Sequence, residues 1–398
     1  MKSSIYLTLL TAMAFSCNQP AKTTDPITQI IDNAVEQESC QIKAMKGDTL
    51  NPRTLLPDST IQYITPIDWT SGFFPGSMWY MAELTGDTLW QDIAKGQTMK
   101  VEEAKTLTWH HDIGFIIECS FGNGLRISGN KDYEAVIIEA AKSLSTRFRE
   151  APQAIQSWEV TRGWQAERGW SCPVIIDNMM NLELLLHATA LTGDSTFYKI
   201  AVAHANTTLK NAFRENGSCY HVVDYELLTG ELRNRHTAQG YSHQSAWARG
   251  QAWAIYGYTV MYRGTKDRKY LDQAIKTFEF MKNNKNMPSD KIPYWDLDAP
   301  DIPAAPRDAS AAAVIASALY EISEYQENSD YYKSYADSII SSLSSNAYTA
   351  KIGENGNFIL MHSVGSIPHN QEIDVPLNYA DYYYLEAVKR KRDIENKK

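Results

Sequence analysis

Three segments of this chain carry side chains suited to chemistry. The stretch from Trp170 to Leu186 is apolar apart from Asp177, Asn178, Asn181 and a few flanking positions. The spacing predicts a helix with Pro173 near its first position, with Asp177 one turn in and Asn181 a further turn along the same face. A carboxylate and two amides in such a setting are costly unless they face a cavity or a hydrogen-bond network. Asp177 therefore either faces a cavity or belongs to a satisfied polar cluster in the core. His110-His111-Asp112 precedes the apolar run Ile113–Ile117. Asp112 is either a second working carboxylate or a helix N-cap. A metal is not indicated, because adjacent side chains diverge on a helix and no third ligand is evident. In the third segment Arg249, Trp253 and Tyr256 recur at i, i+4, i+7, with Trp247 alongside. A guanidinium beside indoles suits a carboxylated sugar, the charge for the carboxylate and the rings for the sugar face. A buried structural arginine accounts for the same pattern.

The elements that must position these groups are mostly helical. Apolar residues recur every three to four positions, as in Tyr270, Ala274 and Phe278. Paired helical runs are separated by short turns at Gly86, Gly129, Gly193, Gly264 and Asn328. Each turn offers glycine or asparagine for a left-handed C-cap, then Asp, Ser or Thr for the next N-cap. These are αα-hairpins. Their spacing of about 43 to 71 residues is too long and uneven for a tetratricopeptide array of 34, and it suits one hairpin per sector of a closed toroid. Residues 370–393 offer the helix for a sixth sector. The expected fold is all-α, an (α/α)6 barrel with a small β-hairpin insertion, the hairpin spanning Ser218–Glu226 and Glu231–Arg233 around Gly230. Residues 287–306 hold five prolines and form a loop.

The chain has 398 residues, 43% hydrophobic, 21% charged and 11% aromatic. That balance excludes disorder, collagen-like repeats and a coiled-coil rod. A net charge of −9 argues against a nucleic-acid partner. Lys2 followed by the apolar stretch Ile5–Ser16 reads as an export signal, and Ala14-Phe15-Ser16-Cys17 resembles a lipobox, with Cys17 as the lipidated residue. The expected organisation is a signal at 1–16, a tether at 17–30 and one catalytic domain over 31–398. Such a chain is an exported bacterial lipoprotein, in the periplasm or at the cell surface, touching a membrane only through its anchor. Cys40, Cys119, Cys172 and Cys219 match no zinc or redox spacing; Cys119 and Cys172, in apolar helical contexts, read as buried thiols.

Taken together and in order, the motifs resemble glycoside hydrolase family 88, the unsaturated glucuronyl hydrolases. The resemblance runs from about Asp68 to Val388 and rests on Trp69–Gly76, His111–Phe115, Pro173–Asn181, Gly217–His221, Gln239–Gly240, Trp247–Trp253, Arg307–Ala311 and Asp374–Tyr383. It implies an (α/α)6 barrel that removes the unsaturated glucuronic acid left by lyases at the non-reducing end of glycosaminoglycan-type oligosaccharides. It further implies hydration of the C4=C5 double bond in place of direct displacement at the anomeric carbon, with no cofactor. By motif match Asp177 is the acid/base and Asp112 the supporting carboxylate. Trp69, His111, His221, Gln239, Trp247, Arg249 and Trp253 fall at substrate-binding positions. Ser363 and Ser366 match the serines of a Ser-x-x-Ser-x-Lys segment associated with sulfated substrates, but Pro368 replaces the lysine. His369 follows and, if protonated, could partly substitute. The competing readings are an unsaturated rhamnogalacturonyl hydrolase, a sugar epimerase on the same barrel, and a non-catalytic glycan-binding lipoprotein, which would need no paired acids.

Overall fold

The computed structural model describes residues 25–45 and 50–397; the expected signal and Cys17 lie outside the described residues. Helix α1 (Pro26–Met45) comes first. The pair α2 (Phe73–Thr85) and α3 (Thr88–Met99) follows. Next, α4 (Ile113–Ile117) runs through a π-helical turn, Glu118–Gly122, into α5 (Asn123–Ser128), which pairs with α6 (Asp132–Ser145). After the short α7 (Gly163–Ala166) come α8 (Leu182–Thr192) and α9 (Ser195–Asn211). Two further pairs are α10 (Ala248–Thr265) with α11 (Arg268–Lys282), and α12 (Ala309–Ser323) with α13 (Ser329–Leu343). Helix α14 (Asn378–Asn396) returns to pack on α2 and α12.

Burial separates two layers. Helix α12 is buried around its whole circumference, as is α10 over Ala248–Met261, whereas α3, α11 and α13 bury one face. An all-round apolar helix belongs inside and an amphipathic one outside. The first helix of each pair, with α14, therefore forms an inner ring, and contacts run from α2 through α14, α12, α10 and α8 to α4, returning to α2 through the π-helical turn and α5. Helix α1 lies across the seam of this ring, where Gln37 Nε2 donates to the carbonyls of Glu354 and Phe358. This is the (α/α)6 barrel expected from the hairpin count.

Local chemistry sets the turns. Gly86, Gly129 and Gly193 take φ of 70°, 67° and 73° as left-handed C-caps. Asp87, Asp194 and Asp267 then cap α3, α9 and α11 by accepting a backbone N–H two residues on. Two expected turn residues differ. Gly264 is inside α10, where a Cβ would meet Leu186 Cδ1 at 2.6 Å, and the left-handed cap is Lys266. The glycine serves helix packing. Asn328 is no C-cap either: α12 ends with Glu324 in right-handed geometry, and Asn328 sits before Ser329 at the start of α13.

The β structure is antiparallel and peripheral. Strands β1 (Asn51–Leu55) and β2 (Ile61–Ile64) pair, as do β3 (Phe148–Arg149) and β4 (Ala154–Ile155). A three-stranded sheet joins β5 (Cys172–Ile175), β6 (Val222–Tyr225) and β7 (Leu232–His236), and β8 (Ser363–Ser366) pairs with β9 (Gln371–Val375). Strands β6 and β7, with Gly230 at φ 74° between them, are the expected hairpin. The helix expected from Trp170 is not formed. Val174 and Ile175 pair with Val223 and Val222 instead, a 3-10 segment spans Ile176–Asn181, and α8 starts only at Leu182. β-branched residues favour the pleated pairing, and Pro173 is tolerated on an outer strand. Cys172 is accordingly a buried thiol on a strand; Cys40, Cys119, Cys172 and Cys219 are all unbridged. The expected tether boundary at residue 30 also moves, because α1 begins at Pro26, with Asp25 accepting the N–H of Thr28.

Close approach inside the ring requires small residues at particular points. A Cβ on Gly257 of α10 would sit 2.9 Å from the Met179 backbone carbon, whereas one on Gly96 of α3 meets nothing within 4 Å. In urea denaturation, Gly257→Ala is expected to destabilise the chain by about 1–3 kcal/mol. Gly96→Ala should stabilise it by roughly 0.5–1 kcal/mol. Equal effects at the two sites would contradict the layering.

Candidate active site

The site lies at the end of the barrel where α4, α10 and α12 begin. Asp177 sits in the 3-10 segment between β5 and α8. Ile176 N–H donates to the carbonyl of His221, which ties the end of β5 to the approach of β6 and brings His221 over the acid. Asp177 is buried at 8% exposure, and its Oδ2 has no hydrogen-bond partner. His221 Nε2 is 3.6 Å from that oxygen, too far for a formed bond. His221 Nδ1 accepts the backbone N–H groups of Ala238 and Gln239 at 3.1 and 3.2 Å. These bonds assign the proton to Nε2, the nitrogen facing Asp177. Burial, then the nearby Arg249 charge, keep His221 far below its usual pKa and hence neutral.

Asp112 occupies the N-cap position of α4, yet its side chain caps nothing. Its oxygens lie 3.2 Å from His111 Nε2 and 3.6 Å from His110 Nδ1. Burial pushes its pKa up, but His111, His110 and Arg147 outweigh that and hold it below the ordinary value. Asp112 is therefore an anion. Asp177 behaves in the opposite way: burial raises its pKa to about 7, Arg249 opposes the rise and Asp112 adds to it. Two carboxyl groups with divergent affinities for a proton thus lie within one another's field at one end of the barrel. Asn181, the amide that sequence spacing placed near Asp177, holds the two segments together by accepting the Phe115 N–H at 2.9 Å. Gly114 permits the approach, since a Cβ there would meet Asn181 Cα at 2.6 Å. Asn178 is structural, donating to the carbonyl of Ile155.

Arg249 is tied into the fold by part of its guanidinium. It is fully buried, pairs with Asp308 at 3.2 Å, and donates to the carbonyls of Val364 and Gly365 on β8. Trp247 and Tyr379 stack on it at 4.7 and 5.4 Å. Only Nε is without a partner. Three of its five N–H donors are thereby used, leaving Nε–H and one Nη2–H; Arg249 positions β8 and lends charge to the site. Trp253 is buried with its indole N–H unpartnered and packs on Phe115, drawing the Asp177 pKa down slightly. Trp69, partly exposed, rests on Phe73, Phe115 and Tyr379. Trp247 lies against His221 at 4.4 Å, and Gln239 is partly exposed beside it. His111 is wholly buried, its pKa lowered to about 4 by burial. Ser363 is buried with its hydroxyl unpartnered, and Ser366 bonds His369 Nδ1 at 2.7 Å. His369 does not replace the missing lysine as a cation, because burial and then the Arg168 charge lower its pKa.

Sequence reasoning missed Asp308, whose adjacency to Arg249 needs the ring. It also missed a rim of Trp158, Trp164 and Trp170 around Arg168; the crowding of three tryptophans between 158 and 170 was its visible signal. Tyr256 faces away, donating to Glu386. It lines a cavity of about 720 Å³ at the opposite mouth of the barrel. Arg263, at that mouth, is fourteen residues beyond Arg249, roughly 21 Å along the helix. Its charges neutralise one another, Arg263 bridging Glu183 and Glu321, and Arg390 bridging Glu321 and Glu386. The free oxygen of Asp177 lies at the other end, away from this cavity. Among the described residues no three His, Cys, Asp or Glu side chains converge as a metal site.

A helical toroid with an acid and an anion at one mouth, walled by tryptophans, has the plan of a carbohydrate-active enzyme. The chain belongs to glycosyl hydrolase family 88, whose profile matches residues 42–395. It is 43% identical to an unsaturated glucuronyl hydrolase of Formosa agariphila, over 99% of both chains. It is 30% identical to an unsaturated chondroitin disaccharide hydrolase of Streptococcus pneumoniae, over 93% of both. Among solved structures it superposes on an unsaturated glucuronyl hydrolase specific for heparin with a TM-score of 0.88, at 44% identity, covering 93% of this chain and 98% of that one.

The clamp between the two acidic segments makes a direct expectation. Asn181→Ala strands the buried Phe115 N–H, at a cost of about 1–3 kcal/mol. Gly114→Ala forces the segments apart, and displacement of a catalytic group by about 1 Å can cost 100-fold. Steady-state rates on folded Gly114→Ala should therefore fall at least tenfold, and unchanged rates would refute the clamp.

Proposed function

We propose that this chain is an unsaturated glucuronyl hydrolase that releases the non-reducing-end unsaturated glucuronic acid from lyase-generated glycosaminoglycan oligosaccharides. One observation carries the catalytic assignment: Asp177 is buried, has a free oxygen, and holds its proton to about pH 7 beside the anionic Asp112. Asp177 gives that proton to C4 of the C4=C5 enol ether, and the π electrons form the new C–H bond. The cation that develops at C5 is shared with the ring oxygen. Water adds to C5 and returns a proton to the Asp177 carboxylate, so the acid is regenerated. The C5 hemiketal then opens, C1 becomes an aldehyde, and the remaining sugar leaves with a hydroxyl group. The usual link between carboxylate separation and retention or inversion does not apply, because no displacement occurs at C1. Asp112 keeps the Asp177 proton in place before transfer, and the His221 Nε2–H offers a donor on the same side. Names of the relatives favour uronates of heparin and chondroitin type over the pectin fragment of the rhamnogalacturonyl alternative.

Hydration destroys the conjugated acid, so loss of ultraviolet absorbance from an unsaturated chondroitin or heparin disaccharide reports turnover. Asp177→Asn should lower kcat by 100-fold or more, within the range of general acid catalysis, while the disaccharide still binds. Asp112→Asn should also remove most of the activity. The rate should be flat below about pH 7 and fall about tenfold per unit above it, as Asp177 loses its proton. Full absorbance loss with Asp177→Asn would refute the assignment, and binding without turnover by the wild type would favour a glycan receptor.

We also propose that the chain is exported and anchored through Cys17, on the strength of Lys2, the apolar Ile5–Ser16 stretch and the lipobox-like residues before Cys17. Cys17→Ser should move the enzyme from the detergent phase to the aqueous phase on fractionation. A wild type found wholly in the aqueous phase would overturn the anchor.

A further inference from the structure

The barrel is a ring closed by packing, and its seam lies where α1 crosses α2 and α14. A cavity of about 10 Å³ is enclosed there, room for one water or one bare ion. It is lined by Glu38 and Gln41 of α1, Ser77 of α2, Asn378 and Asp381 of α14, and the half-buried Asn357, with Phe74 and Phe358 as walls. The five on the helices are at least 97% buried. Both amide atoms of Gln41, the hydroxyl of Ser77 and Oδ1 of Asn378 have no hydrogen-bond partner. Burying such groups unpaired is costly, so a molecule is expected among them.

The orientation of these groups says what the cavity takes. Asn378 Nδ2 donates to the carbonyls of Pro52 and Thr70, which leaves its carbonyl oxygen as the atom to be satisfied. The two oxygens of Asp381 each accept one backbone N–H, from Ile359 and Leu360, and keep lone pairs to spare. No lysine, arginine or histidine lines the cavity. Two carboxyl groups thus share this space with neutral oxygens, the Gln41 amide N–H2 and no positive charge. Burial raises the pKa of each, and Asp381 raises that of Glu38 further, so ionising both demands a counter-charge.

We propose that this cavity is an internal cation site, in which oxygens of Glu38, Gln41, Ser77, Asn378 and Asp381 hold a calcium-type ion that pins the first and last helices of the ring together. Calcium takes six to eight oxygen ligands in flexible geometry, whereas magnesium retains waters for which there is no room. The absence of nitrogen and sulfur donors disfavours zinc. The ion is structural: Glu38 and Asp381 lie outside the catalytic site.

The purified chain, stripped with EGTA and dialysed, is tested by thermal unfolding against calcium chloride, with magnesium chloride as control, and by elemental analysis. Expected are one calcium per chain and a saturable rise in Tm of roughly 3 °C or more, with no comparable rise in magnesium. Glu38→Gln should abolish both the rise and the stoichiometry while leaving the hydrolysis rate at 25 °C unchanged. Gln41→Ala should weaken the calcium response, and it remains informative if an Asp381→Asn chain does not fold. A wild type that retains no calcium and melts at the same temperature throughout overturns the proposal in favour of a shared proton or a water. A calcium response that survives Glu38→Gln overturns it equally.

Discussion

A carboxylic acid that keeps its proton in neutral water needs surroundings that penalise its anion. Asp177 has two such penalties, loss of water and the standing charge of Asp112, against one opposing attraction from Arg249. The balance depends on where Arg249 spends its charge. Were its guanidinium free to approach Asp177, an ion pair would form and the proton would leave. Asp308 and the carbonyls of β8 hold it instead, so the cavity has a positive potential without a salt bridge to its acid. Asp112 is stabilised as an anion by a separate set, His111, His110 and Arg147. Two aspartates that are ordinary in sequence thereby differ in protonation because different neighbours surround them.

The fold exists to keep those neighbours in register. Asp112, Asp177, Arg249 and Asp308 come from four different sectors of the ring, each at or just before the start of an inner helix. Helices cannot bring four such ends together unless their axes approach closely, and Gly114 and Gly257 mark where they do. The opposite mouth shows the complementary solution. Its buried glutamates and arginines are paired off, and Glu386 alone accepts from Tyr80, Tyr256 and Ser317, so that end holds the ring without reactive groups. Closure of the ring then rests on α14 against α2, with α1 lying across their seam.

Much of this was legible in the residues. Glycine or asparagine followed by Asp, Ser or Thr marked the αα-hairpins because cap chemistry is local, and counting them led to the toroid. The same locality misled at Gly264 and Asn328, where glycine serves packing against Leu186 and asparagine precedes a helix. The segment before Asp177 was misread as helix because an apolar run that includes proline fits either state, and only Val222 and Val223, some fifty residues on, decide it as a strand. The acids themselves were visible as polar residues in apolar company. The commitment of Arg249 was not, since Asp308 and β8 are brought to it only by the closed ring. The seam cavity left no mark in the sequence, because Glu38 and Asp381 sit in helices that otherwise look amphipathic.

The most direct test of this account is the protonation of Asp177 itself, followed by carbon-13 NMR of aspartate-labelled enzyme, with Asp177→Asn used to assign the resonance. The account predicts a midpoint near pH 7 in the free enzyme and a lower midpoint once Asp112 is replaced by asparagine. A midpoint at the ordinary aspartate value of about 3.9, unmoved by loss of Asp112, would contradict it.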